Sequence, residues 1–182
     1  MAHELTTSYL RDSLSLFRYY KELTERAMEQ VSDEQLVAVL DGEMNSIAIV
    51  VKHLVGNMRS RWMDFLVSDG EKPDRKRDTE FEEPPTTRAA LIKLWDEGWN
   101  YVFTALEPLS DADMDRTVAI RGEPHSVMQA INRQMAHYAY HCGQIVFLAK
   151  HLQARQWKAL TVPRGKSEEF NQRVASKEIS QR

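Results

Sequence analysis

Apolar residues return at intervals of three, four or seven along several stretches of the chain, the period of helices that bury one face. From about Leu5 to Met28 the recurring positions are Tyr9, Leu16, Tyr20, Leu23 and Ala27, which predicts a first long helix. Ser32 with Gln35 three residues on reads as a capping box for a short helical piece, and Asp41-Gly42 then breaks the chain. Asn45 or Ser46 can cap the next helix, IAIVVKHLVGNMRSRWMDFLV, expected to reach about Val67. The stretch SDGEKPDRKRDTEFEEPP is charged, proline-bearing and aperiodic, so it reads as a long loop that either edges a site or is a solvated connector.

Thr86 or Thr87 can cap a third long helix with Leu91, Leu94, Trp95, Trp99, Val102, Phe103 and Leu106 on its apolar face, and Pro108 stops it. RTVAIRGEP, with β-branched residues and then Gly122, predicts a short extended segment or hairpin. Ser126 and Gln129 form another capping box, opening the longest helix, VMQAINRQMAHYAYHCGQIVFLAKHL. The tail turns at Pro163 and Gly165, and Ser167 can start a last helical turn through SEEFN. Four long helices without strand–helix alternation predict an all-α four-helix bundle, with a long loop between helices 2 and 3 and a short C-terminal tail.

The chain has 182 residues, 42% hydrophobic and 28% charged, which suits one domain over residues 1–182 with a core of its own. Its 24 basic and 27 acidic residues leave a net charge of −3, spread without the basic face that nucleic acid demands. The lone Cys142 forms no intramolecular disulfide and fits a reducing compartment. The opening MAHELTTSYLRDS lacks the features of a signal peptide, and no apolar run approaches the roughly 20 residues that span a bilayer. A cytoplasmic location is expected, with a small molecule rather than nucleic acid or membrane as partner.

Two of the six histidines form His137-x-x-x-His141 inside the last long helix, a spacing that puts both imidazoles on one face. His53 lies mid-helix among Ile49, Val50, Val51, Leu54 and Val55, where a polar group needs a partner. Asn45, Ile49, His53 and Asn57 step by four along one helix, and Gln134, His137, His141 and Gln144 step by three or four along another. Two stripes of this kind satisfy each other if they face across an ion. Three neutral imidazoles suit zinc, nickel, iron or copper and leave a position open for water or substrate. A support on the other ring nitrogen is available from Asn57, Gln144 or backbone carbonyls. Arg61 continues the His53 stripe, either toward an anionic substrate at the mouth or into a surface ion pair. His3, His125 and His151 do not share the face.

One histidine in NSIAIVVKHLVGNMRSRW and two in INRQMAHYAYHCGQI resemble the metal triad of the DinB-like superfamily. The match extends through DGEKPDRKRDTEF, RGEPHSVMQAINRQ and PRGKSEEFN, which resemble a branch catalogued only as a domain of unknown function. The resemblance implies a DinB-like four-helix bundle, a divalent metal, frequently zinc or nickel, and often a homodimer. Similar proteins include thiol S-transferases that use bacillithiol or related low-molecular-weight thiols and a mycothiol-dependent maleylpyruvate isomerase. A metal-dependent thiol transferase acting on an electrophilic small molecule is therefore the leading expectation. A metal-dependent hydrolase is the weaker alternative, because no carboxylate adjoins the triad in sequence. A stress-related protein with a purely structural metal is the non-enzymatic alternative. Arg164-Gly165-Lys166-Ser167 imitates the end of a phosphate loop, but Leu160 replaces the required glycine. Cys142 points about 100° from the triad face and reads as core, as do Trp62, Trp95 and Trp99.

Overall fold

Side-chain caps set where the long helices begin. Ser8, Ser46, Thr87 and Ser126 each accept a hydrogen bond from the backbone N–H three residues on, satisfying a donor that the first helical turn leaves free. In the computed structural model, which describes residues 5–180, these caps open α1 (Tyr9–Met28), α3 (Ile47–Trp62), α4 (Arg88–Leu106) and α5 (Val127–Gln153). The short α2 (Asp33–Leu36) carries the Ser32–Gln35 capping box, and α6 (Ser167–Ala175) runs further than the single turn read in SEEFN. Helix α1 lies along α5 and α3 along α4, with α3 and α5 also in contact, an all-α bundle of four long helices.

Each long helix sends one aromatic ring to the centre. Phe17, Trp62, Trp99 and Tyr138 come from α1, α3, α4 and α5. The Phe17 centroid lies 6.4, 6.1 and 5.7 Å from those of Trp62, Trp99 and Tyr138. These are tilted and edge-on contacts of the kind aromatic quadrupoles favour. Trp62 Nε1–H donates to the Tyr138 hydroxyl at 2.8 Å, so two of the cluster's three polar atoms satisfy each other, while Trp99 Nε1 is buried without a partner among the described residues. The periodicity expected Trp62, Trp95 and Trp99 to be core, and all three are buried. Gly98 lets α4 approach α3 closely, since a Cβ there would stand 2.8 Å from Val55 Cγ2 and 3.0 Å from Met58 Sδ.

Helix α3 ends at Trp62, not near Val67. Met63 turns to extended backbone and Asp64 takes φ 50°, and Phe65 folds back with its ring 5.2 Å from that of Trp62. Local sequence carries no breaker there; the stop comes from a contact with the core. The expected hairpin is β1 (Thr117–Ile120) and β2 (Glu123–Ser126), antiparallel, with Arg121 (φ 57°) and Gly122 (φ 75°) as the left-handed pair that a two-residue turn requires. The long loop is fastened to it: Gly70 N–H donates to the Ala119 carbonyl at 2.8 Å, and the Asp69 carboxylate accepts from the N–H groups of Arg121 and Gly122. No described helix is long and apolar enough to cross a membrane.

Candidate metal centre

Helix α3 enters the bundle beside α5 and carries His53 two turns from its start, while His137 and His141 occupy successive turns of α5. The spacing read from sequence therefore converges. Each of the three imidazoles offers a ring nitrogen, and these atoms lie within 4.8 Å of one another. His141 Nε2 and His137 Nε2 stand 3.1 Å apart. Two nitrogens bound at about 2.0–2.1 Å to one tetrahedral ion would be about 3.3 Å apart, so this pair is already spaced for a shared ion.

Which lone pairs face inward is decided behind the rings. A carboxylate accepts only, so His53 Nδ1–H donates to Glu80 Oε2 at 2.8 Å, which in the neutral imidazole makes Nε2 the lone-pair nitrogen. His141 Nδ1 lies 2.7 Å from Gln144 Oε1, and the same amide donates through Nε2 to the Tyr140 hydroxyl at 3.1 Å, which fixes its orientation. Both tautomers thus present Nε2 lone pairs, the form a metal ligand needs. Burial holds His141 below the ordinary imidazole range, and burial together with the neighbouring His141 and His53 pushes His137 down to about 3. His137 and His141 are accordingly neutral at pH 7. His137 Nδ1 is buried without a partner among the described residues.

Glu80 is the residue that sequence reasoning missed. It sits in a 3₁₀ turn, Arg77–Phe81, inside the long charged loop, which is no solvated connector at this point: the Glu80 side chain is 8% exposed and that of Arg75 4%. Arg75 grips the carboxylate with both edges, Nε to Oε1 at 2.8 Å and Nη2 to Oε2 at 3.0 Å. Burial would raise the Glu80 pKa, but the bonds from His53 and Arg75 outweigh it and hold the carboxyl below its usual range. With both oxygens committed, Glu80 orients His53 and is poorly placed to accept a further proton. Phe81, in the same turn, stacks on the His53 ring at 4.8 Å.

Asn57 and Arg61 stay on the His53 stripe, and both line the pocket beside the histidines. Asn57 supports no histidine among the described residues; it lines a cavity of about 290 Å³ that also meets His53 and His137, and its Oδ1 has no partner. Arg61 lines the same cavity but is buried, donating to the Gly70 carbonyl and lying 3.1 Å from Glu71 Oε2. It is no surface ion pair. Gln144 lies with its Oε1 2.7 Å from His141 Nδ1.

The remaining sequence candidates fall away from the site. His125 contacts the Glu123 carbonyl in β2, His151 stacks on Phe147 near the end of α5, and His3 lies outside the described residues. Lys166 pairs with Glu169, and neither it nor Arg164 lines the cavity. Cys142 is buried against the Tyr20 carbonyl, and burial pushes its thiol up to about 12, the state of an inert core thiol.

Residues 4–166 match the model of a family described as "Protein of unknown function (DUF1572)". The fold is similar to the crystal structure of a DinB-like protein from Bacillus cereus, with a TM-score of 0.61, 17% identity, and coverage of 85% of this chain and 99% of that one. Comparison with curated proteins gives no significant match.

Proposed function

This chain belongs to the DUF1572 family and has the DinB-like fold, and from that premise we propose that it binds one divalent transition-metal ion through His53, His137 and His141 and acts as a metal-dependent thiol S-transferase on an electrophilic small molecule. The observation that carries this reading is the donor set: three convergent imidazoles, with no cysteine, aspartate, glutamate or further histidine joining the group among the described residues. Structural zinc sites are normally closed by four protein ligands, so a three-ligand set favours an open position and hence chemistry. Zinc and nickel both suit such nitrogen ligands.

A bound divalent ion supplies a Lewis acid that lowers the pKa of a low-molecular-weight thiol, so that its thiolate is abundant at neutral pH. The protein's own part is positional. Burial keeps His137 and His141 deprotonated, while Glu80 and Gln144 hold the tautomers of His53 and His141. The fully bonded Glu80 leaves the hydrolase alternative without a free carboxylate base at the triad. The buried, protonated Cys142 fits a reducing, cytoplasmic setting in which the reacting thiol is a separate molecule.

The test is conjugation of a panel of low-molecular-weight thiols to an electrophilic aryl halide by zinc-loaded, nickel-loaded and chelator-treated protein. Metal-dependent conjugation with at least one thiol is expected. Conjugation that survives complete metal removal would sink the reading, and loss of stability on metal removal without turnover under any condition would point to a structural metal.

A further inference from the structure

The cavity beside the histidines is far more basic than the chain that contains it. Five guanidiniums, those of Arg61, Arg75, Arg77, Arg121 and Arg133, line it in a protein of net charge −3. Two carboxylates serve three of them: Glu80 pairs with Arg75, and Glu71 lies 3.1 Å from Arg61 and 3.0 Å from Arg121. The other two are uncommitted. Arg133 makes no hydrogen bond or ion pair with any described residue, and Arg77 has only Asp78 at 3.8 Å, a side chain that is 97% exposed, besides lying over the Phe81 ring.

Positive charge is concentrated in a concave, partly dry wall, where it acts more strongly than on open surface. Asn57 and Gln134 also line the cavity, while Asn57 Oδ1 and Gln134 Oε1 are turned away from its open space, buried without a hydrogen-bond partner among the described residues. The volume of about 290 Å³ sits at the small end of the range of about 300–1,000 Å³ typical of ligand pockets.

We propose that this cavity is a binding site for a small oxyanion-bearing molecule, a carboxylate or phosphate gripped by Arg77 and Arg133. Guanidinium forks match the planar or tetrahedral oxygens of such groups, and Arg77 and Arg133 can meet an incoming anion without breaking the ion pairs to Glu71 and Glu80. The inference rests on the enzymatic reading in one respect: the anion's bearer is that reaction's thiol or electrophile, since the cavity shares His53 and His137 with the candidate metal centre.

The test is calorimetric titration of metal-free protein with succinate and with inorganic phosphate, using uncharged succinamide as the control. At least one of the two anions should bind saturably, and more weakly as salt rises. Arg133→Gln and Arg77→Gln should each weaken that anion about tenfold, the scale of one charge-assisted hydrogen bond, while Lys166→Gln leaves it unchanged. An unchanged thermal midpoint checks that the two exposed substitutions leave the fold intact. Absence of saturable anion binding, or glutamine variants that bind like the wild type, overturns the proposal. Repeating the titration on zinc-loaded protein separates it from the metal reading. Anion binding that appears only with zinc overturns the arginine site and leaves the metal reading standing. Arginine-dependent binding in a protein that takes up no zinc supports the site and removes the metal reading.

Discussion

Gly56→Ala tests whether the long loop is truly part of the site. A Cβ at Gly56 would press on Glu80 Oε1 and stand 2.6 Å from Glu80 Cδ and 3.0 Å from Cγ. The carboxylate cannot retreat without leaving Arg75 and His53. Alanine is favoured over glycine in a helix interior by about 1 kcal/mol, whereas breaking a buried ion pair by losing one partner costs about 3–5 kcal/mol. The net expectation is destabilisation by about 2–4 kcal/mol, with a loss of about 10–100-fold in metal affinity because His53 loses its support. Urea denaturation and competitive metal titration of Gly56→Ala, Glu80→Ala and the double variant measure both. Once Glu80 is cut back, the alanine at position 56 should cost nothing further, so the two single effects must not add. Additive effects, or a Gly56→Ala protein indistinguishable from wild type, would refute the argument that Glu80 is seated on α3.

Three further outcomes follow from the structure. His137 is held at about 3 and His141 is lowered by burial, so metal-free protein should keep full stability above the ordinary imidazole pKa of about 6.5 and lose it as pH falls toward 3, because the unfolded chain takes up protons that the folded chain refuses. In denaturation curves His137→Phe should flatten that dependence; an equal slope in both proteins contradicts it. Cys142, 1% exposed with its thiol pushed up to about 12, should resist alkylation in native protein and react only after unfolding, as mass spectrometry can follow; rapid native labelling would count against its core placement. A homodimer, implied by the family resemblance, would give Tyr140 and Phe147, each 63% exposed on α5, a surface to bury; light scattering at the mass of one chain would argue against it.

What could be read in the sequence was local. The boxes at Ser32 and Ser126, the caps of α3 and α4 to within one residue, and a hairpin near Gly122 all involve partners within a few residues, and each was legible. The triad was legible too, because helical spacing projects directly into space. The end of α3 was not: no glycine or proline marks it, and Phe65 folds onto Trp62 through tertiary contact. The link between Glu80 and His53 spans 27 residues and arises in an aperiodic segment, where no period says which side chain turns inward. Its one trace in sequence is Gly56, an isolated glycine within an apolar helix, which signals a close approach without naming what approaches.

The central claim is that three histidines hold one ion, and elemental analysis of protein incubated with zinc or nickel and then desalted tests it most directly. Wild type, His125→Ala and His151→Ala should retain about one ion per chain, while His53→Ala, His137→Ala and His141→Ala, reduced to two protein ligands, should retain little. A wild-type protein that keeps less than about a tenth of an equivalent, or a His53→Ala protein that keeps as much metal as wild type, would contradict the account.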